Sequence, residues 1–143
     1  MLKGISPVLQ PQMLKVLCEM GHGDRILIAD GNFPAESMGK DSIVIRCDGH
    51  GAKGVLEAVL TVFPLDRSAD QAVFLMAVSP GDHVKTPVWE EYRQVIARYD
   101  DRGAVELERF AFYEMSRNAY AIIATGEQKP YANVMLQKGV VSE

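Results

Sequence analysis

A histidine and an aspartate stand on either side of a short apolar segment near the start of the chain. The sequence EMGHGDRILIADGNFP, residues 19–34, sets His22 between two glycines and ends the apolar run RILIA with Asp30. Histidine changes charge near neutral pH, and a carboxylate can orient it or exchange a proton with it. The two residue types are therefore suited to proton transfer, and we treat them as candidate acid–base groups.

Both residues also have purely structural interpretations. Gly-His-Gly is typical of a helix end, where Gly21 would adopt the left-handed conformation and His22 would point to water. Asp-Gly-Asn is typical of a turn in which Asp30 accepts a hydrogen bond from the following backbone. If RILIA is a strand, the two residues start from its opposite ends. Only a neighbouring subunit or a loop folded over a short strand would then bring them into one site.

A glycine-rich segment offers a different kind of site. GHGAKG, residues 49–54, matches Gly-x-Gly-x-x-Gly, follows a predicted strand and opens a helical pattern, as in phosphate sites at helix N-termini. The next predicted strand, 72–78, has no acid in place for a ribose hydroxyl, because Asp82 comes late. We favour a tight turn into the helix, and a nucleotide- or phosphate-binding module is the alternative.

The sequence favours neither a metal site nor a nucleophile. His22, His50 and His83 are far apart, and no two cysteines have the spacing of metal ligands, so no metal is expected. Cys18 and Cys47 both lie in apolar segments and are predicted to be reduced and buried. The chain has no Gly-x-Ser-x-Gly element around a nucleophilic serine.

Length and composition indicate one ordinary globular domain over residues 1–143. The chain is 48% hydrophobic and 24% charged, with a net charge of −4, so it has no basic stripe for a nucleic acid. No segment has the roughly 20 apolar residues of a membrane helix, and the N-terminus lacks the features of a signal peptide. We expect a soluble cytoplasmic protein with no nucleic-acid or membrane partner.

Helical and strand patterns alternate along the chain, which is typical of α/β proteins. The fold class expected is a three-layer α/β sandwich, with a mixed, mostly parallel sheet of about six strands and helices on both faces. About four helices are predicted: one from Pro11 to Gly21, one over 52–63, one that Thr86 caps, and one over 109–118. Strands are predicted over 25–29, 42–46, 72–78, 104–108, 120–126 and 131–137.

Several segments together resemble a known family. LKGISPVL and LKVLCEMGHGDRILIADGNFPAESMG, then DGHGAKGVLEAVLTVFPLD, RFAFYE and AIIATGEQKPYANVMLQKGV, are similar to the fucose mutarotase and ribose pyranase family. The resemblance runs in order through nearly the whole chain. NFPAESMG and RFAFYE resemble the fucose branch, to which the chain is closest. Ala132 in PYAN resembles the ribose branch, and Glu36 stands where bacterial fucose-type members often have histidine.

The resemblance implies roles for particular residues. His22 would be the catalytic acid/base, with Asp30 or Tyr120 as its catalytic partner. The sugar would be held by Asp30, Arg109, Tyr120, Tyr131 and Asn133.

The resemblance also implies an activity and an assembly. The chain would be an isomerase that interconverts the α and β anomers of an aldose, most simply L-fucose and otherwise D-ribose, without a metal or organic cofactor. Family members are cytoplasmic homo-oligomers, typically decamers, with the site near a subunit interface. The alternative function is a sugar-binding protein without catalysis, associated with sugar uptake.

Overall fold

The structure is a computed structural model that describes residues 1–142, in which helices and strands alternate. The helices are α1 (Pro11–Glu19), α2 (Ala35–Met38), α3 (Ala52–Leu60), α4 (Pro87–Ile96) and α5 (Arg109–Arg117). The strands are β1 (Arg25–Ala29), β2 (Ile43–Cys47), β3 (Val73–Met76), β4 (Val105–Leu107), β5 (Ala121–Thr125) and β6 (Val134–Gln137). None of the helices in the described part of the chain is long and apolar enough to cross a membrane.

The six strands form one sheet in the order β2-β5-β1-β6-β3-β4. β6 runs antiparallel to both of its neighbours, β1 and β3, whereas the other neighbouring strands are parallel. The prediction of a mixed, mostly parallel sheet of about six strands is therefore confirmed. Because five strands point the same way, their carboxyl ends meet at one edge of the sheet, where α/β folds commonly bind ligands.

Successive residues of the central strands face opposite layers. Ile26 and Ile28 of β1 pack in a core with α1, α3 and α4 on one face of the sheet. Leu27, between them, packs in a second core with Phe112 of α5 and Ala35 of α2 on the other face. This period-two alternation buries both faces of the strand and produces the predicted three layers.

The structure corrects some predicted boundaries. The described residues 1–142 form five helices rather than four, because the four-residue α2 is too short to show a helical period in the sequence. The last predicted strand, 131–137, begins only at Val134, since Tyr131 adopts a positive φ of 53° that no strand permits. Residues 131–133 form a loop at the carboxyl edge of the sheet instead.

Three local predictions were wrong in detail. α1 ends at Glu19, and the left-handed glycine of the following turn is Gly23, with φ +87°, rather than Gly21. Thr86 precedes α4, but its side chain makes no capping hydrogen bond. Both cysteines are free, yet Cys18 is exposed, because the next position along a helix from the buried Leu17 turns about 100° away from the core.

Two glycines should respond in opposite ways to alanine. A Cβ on Gly126 would collide with the backbone carbonyl of Asp48, so we expect Gly126→Ala to lower the free energy of unfolding by about 2 kcal/mol or more. A Cβ on Gly54, inside α3, would meet open space, so Gly54→Ala should raise it by about 0.5–1 kcal/mol. Urea denaturation of both variants measures the difference, and equal effects would contradict the packing described.

Candidate active site

A cavity of about 330 Å³ opens at the carboxyl edge of the sheet. Asp30 directly follows β1, and Asn133 directly precedes the antiparallel β6, so both lie at this edge. Arg109 begins α5, and Tyr131 lies in the loop before β6. The structure thus places four of the predicted sugar-binding residues around one cavity. Its apolar wall consists of Phe33, Pro34, Met76 and the ring of Tyr113.

Asp30 is a buried carboxylate held by the backbone on either side of it. Its Oδ1 accepts a hydrogen bond from the Asn32 N–H at 3.0 Å, and its Oδ2 accepts one from the Ala132 N–H at 3.3 Å. Burial raises the pKa of Asp30 above the ordinary aspartate value, and these hydrogen bonds oppose part of the rise. The Asp-Gly-Asn turn expected from the sequence is therefore present. Each carboxylate oxygen of Asp30 still has a lone pair that can accept a hydrogen bond from a ligand.

Asn133 and Arg109 provide hydrogen-bond donors beside this carboxylate. The Asp30 N–H donates to Asn133 Oδ1 at 2.8 Å, which fixes the amide so that its NH₂ group is turned away from that backbone. Arg109 Nε donates to the Tyr113 hydroxyl at 3.3 Å, and its guanidinium lies 5.3 Å from the Tyr113 ring centre. The Asn133 side chain also favours the ionised form of the Asp30 carboxylate beside it. In residues 1–142 the terminal Arg109 nitrogens have no protein acceptor within hydrogen-bond distance.

The cavity therefore combines acceptors, donors and an apolar wall at short range. Asp30 supplies acceptor oxygens, whereas Asn133 and Arg109 supply N–H donors. A hydroxyl group both donates and accepts hydrogen bonds, so a ring with several hydroxyls can satisfy all of these groups at once. This is the chemistry of a site for a small polyhydroxylated molecule.

His22 lies at the opposite end of the sheet. It precedes β1, whereas Asp30 follows it, and the five residues of the strand span about 16 Å. Its Nε2 lies 3.2 Å from Asp66 Oδ1 and 3.1 Å from Ser68 Oγ, and half of its side chain is exposed. A second cavity, of about 720 Å³, opens here between the Asp66 loop and the C-terminal residues 140–142.

Asp66 is the functional candidate that the sequence analysis missed. It is buried, and it accepts hydrogen bonds from the Ser68 hydroxyl at 2.7 Å and from Gln137 Nε2 at 2.9 Å. These bonds, helped by His22, hold the pKa of Asp66 well below its usual range in spite of its burial. A carboxylate at hydrogen-bond distance from a histidine orients the ring.

Tyr120 lies neither in the Asp30 cavity nor in the His22 cavity. It stands just before β5, where its backbone N–H donates to the Arg25 carbonyl at the same end of the sheet as His22. Its half-buried side chain packs against the core on the α1 side. It lines neither the Asp30 cavity nor the His22 cavity, so one chain alone gives it no sugar contact.

Other candidate sites are occupied by the protein's own side chains. Glu127 Oε2 accepts a hydrogen bond from the Ala52 N–H at 3.3 Å, so a carboxylate already caps the α3 N-terminus that a phosphate would need. Glu36 is exposed and pairs with Arg46 at 3.3 Å, outside the lining of the Asp30 cavity. In residues 1–142 no three His, Cys, Asp or Glu side chains are grouped to hold a metal ion.

Asp66 should give stability a distinct pH dependence. Because its pKa is lowered on folding, its contribution is fully present above about pH 4 and is lost as the pH falls below that value. We expect Asp66→Asn to lower the free energy of unfolding by about 2 kcal/mol at pH 7. Denaturant titrations should show this gap shrinking toward pH 2. The exposed Asp41→Asn is the matched control, and a gap independent of pH would contradict the hydrogen bonds described.

Comparison with known proteins places this geometry in a family. The model of the RbsD / FucU transport protein family matches residues 3–141. The chain belongs to this family. A human relative named fucose mutarotase is 42% identical over 146 residues, which cover 99% of this chain and 95% of that protein.

Two solved structures show the same fold. FucU from Bifidobacterium longum is 57% identical with a TM-score of 0.95, covering 98% of this chain and all of that one. The fucose mutarotase from Streptococcus pneumoniae, solved in complex with L-fucose, is 43% identical with a TM-score of 0.92, covering 99% of this chain and all of that one. The family resemblance expected from the sequence, and its placement in the fucose branch, are confirmed.

Proposed function

We propose that this chain is a sugar mutarotase, an isomerase that interconverts the α and β anomers of an aldose. L-fucose is the first substrate to test, because two relatives of over 40% identity are named fucose mutarotases, and D-ribose is the second. The observation that carries the proposal is the cavity at the carboxyl edge. It gathers Asp30, Arg109, Tyr131 and Asn133 into a site suited to a polyhydroxylated ring.

The reaction needs only proton transfers. A base removes the proton of the anomeric hydroxyl, an acid protonates the ring oxygen, and the bond between C1 and the ring oxygen breaks to give the open-chain aldehyde. Rotation about the C1–C2 bond and the reverse proton transfers close the ring as the other anomer. Closure through a different hydroxyl would interconvert the pyranose and furanose forms by the same steps.

We assign the main acid/base role to His22, oriented by Asp66. An ionised Asp66 only accepts hydrogen bonds, so the 3.2 Å contact places a proton on His22 Nε2 and leaves the Nδ1 lone pair to act as base. Once Nδ1 is protonated, the adjacent carboxylate stabilises the imidazolium, which can return the proton to the ring oxygen. Asp30, whose pKa is raised by burial, is the second candidate for proton transfer.

A second copy of the chain must complete this site. His22 and the Asp30 cavity lie at opposite ends of a strand about 16 Å long, which is too far for one monosaccharide to reach both. We therefore propose a homo-oligomer in which His22 of one copy meets the cavity of the next. The decamer and the cytoplasmic location implied by the family resemblance are part of the same proposal.

The test is proton NMR of anomer exchange by saturation transfer, on L-fucose and D-ribose, with and without the protein. Faster exchange of either sugar supports the function, and the sugar with the larger acceleration identifies the preferred substrate. No acceleration, with binding of the sugar retained, would favour the alternative of a sugar-binding protein without catalysis. That alternative has one observation in its favour, since the cavity holds its polar groups without any contribution from His22.

A further inference from the structure

We propose that Asp82 is a positioning residue that makes the Tyr131 hydroxyl an obligatory acceptor toward the bound sugar. Asp82 lies in the loop between β3 and α4, outside the lining of the Asp30 cavity. Its carboxylate accepts a hydrogen bond from the Tyr131 hydroxyl, and its backbone N–H donates to the carbonyl of Ser79, which also lines the cavity. The inference rests on the proposed function, because it concerns how the same cavity selects the hydroxyl groups of its sugar.

Tyr131 is held in an unfavourable backbone conformation. Its φ of 53° lies in the left-handed region, which is sterically unfavourable for a bulky residue. Two buried aromatic residues of α4 fix the loop: Trp89 Nε1 donates to the Tyr131 carbonyl at 2.7 Å, and the Tyr92 hydroxyl donates to the Ala132 carbonyl at 2.7 Å. The Ala132 N–H in turn donates to Asp30, so this strained loop is tied to the cavity on both sides.

The existing hydrogen bonds of the Tyr131 hydroxyl determine whether it can donate to a ligand or only accept from one. A phenol has one proton to donate, and an ionised aspartate can only accept. The 2.7 Å contact between the Tyr131 hydroxyl and Asp82 Oδ2 therefore takes that proton. The Ser79 N–H donates to the same hydroxyl oxygen at 3.3 Å. What is left for a ligand is a lone pair, so the sugar group at this position must donate.

This polarity completes a pattern of fixed roles around the cavity. Asp30 and Tyr131 accept, whereas Asn133 and Arg109 donate. Fluorine in place of a sugar hydroxyl cannot donate a hydrogen bond, although it is of similar size. A sugar with fluorine at this position should therefore bind more weakly, because the Tyr131 hydroxyl donates its proton to Asp82 and cannot donate it to fluorine. It should regain that affinity when the Asp82 carboxylate is removed and the Tyr131 hydroxyl can donate to the sugar.

The experiment measures the Kd of L-fucose and of its single-fluorine analogues, each with one ring hydroxyl replaced. For wild type we expect one analogue facing Tyr131 to bind about 3- to 10-fold more weakly than L-fucose, the range of one neutral hydrogen bond. In Asp82→Ala the freed proton can be donated to fluorine, so the penalty of that analogue should fall to about 1- to 2-fold. Asp82→Asn keeps a carbonyl acceptor and should restore the penalty. Asp41→Ala, an exposed aspartate on another loop, should leave it unchanged.

Each outcome separates this inference from a structural role or from failure of the proposed function. A merely structural Asp82 would weaken all sugars equally in Asp82→Ala, and an unchanged penalty would overturn the inference. If Asp82→Ala does not fold, Tyr131→Phe replaces it: the penalty must vanish there for the same analogue, and its persistence would overturn the inference. If wild type neither binds L-fucose or D-ribose nor speeds their anomer exchange, the proposed function itself is wrong.

Discussion

His22→Ala is expected to lower the rate of catalysed anomer exchange by about 10²–10⁴-fold, the contribution of a positioned acid/base group. The side chain is half exposed, and it contacts the rest of the protein mainly through Asp66 and Ser68. Its removal should therefore cost little stability. NMR exchange rates and thermal unfolding of the same preparation measure the two effects separately.

The matched control for this variant is His50→Ala. His50 is also exposed and also lies in a glycine-rich loop, but its side chain makes no hydrogen bond in residues 1–142. The His50→Ala variant should therefore retain the wild-type exchange rate. A His22→Ala protein that folds normally and exchanges anomers at the wild-type rate would remove His22 from the mechanism.

Asp30→Ala is expected to reduce kcat/KM by about 10²-fold or more, because it removes a proposed proton-transfer group and a proposed sugar-binding group together. It also leaves the Asn32 N–H and the Ala132 N–H without their acceptor, which loosens the loop that carries Tyr131 and Asn133. Exchange rates over a range of L-fucose concentrations test this. Asp41→Ala, which removes an exposed aspartate, is the control, and a full wild-type rate in Asp30→Ala would contradict the assignment.

The pH dependence of kcat/KM of the wild-type protein should reflect the protonation of Asp30. Because burial raises its pKa, the carboxylate is protonated at a higher pH than an ordinary aspartate, and kcat/KM should fall on the acid side as the pH drops through this raised value. The contribution of Asp30 to the free energy of unfolding depends on pH in the opposite direction to the contribution of Asp66. The contribution of Asp30 to the free energy of unfolding is greatest at low pH and is lost as the pH rises through its raised pKa.

Much of the fold could be predicted from local patterns, because helical and strand periods are properties of short segments. The position of β6 between β1 and β3 could not, since pairing of a C-terminal strand with the first strand depends on contacts across the whole chain. The loop at Tyr131 was predicted as strand because its apolar neighbours continue the pattern of β6. Its positive φ comes from tertiary hydrogen bonds to α4, such as the one from Trp89, that no local pattern encodes.

The candidate site shows the same division between local and distant information. Asp30 was found because it ends an apolar run, and a polar residue at a strand end is a local signal. Asp66 was missed because its contact with His22 joins residues 44 positions apart. The Asp66-Arg67-Ser68 spacing, typical of a turn in which the aspartate accepts from the second following residue, was the available signal. It indicates a turn but not a catalytic partner.

The most direct test of the account is to mix His22→Ala and Asp30→Ala chains, each inactive alone, and to measure anomer exchange after the subunits are unfolded and reassembled together. If His22 of one copy serves the Asp30 cavity of another, random assembly should give about one quarter of the sites both intact residues, and activity should return to about that fraction. Native mass spectrometry confirms that mixed oligomers have formed. Mixed oligomers that remain inactive would contradict a site shared between two copies.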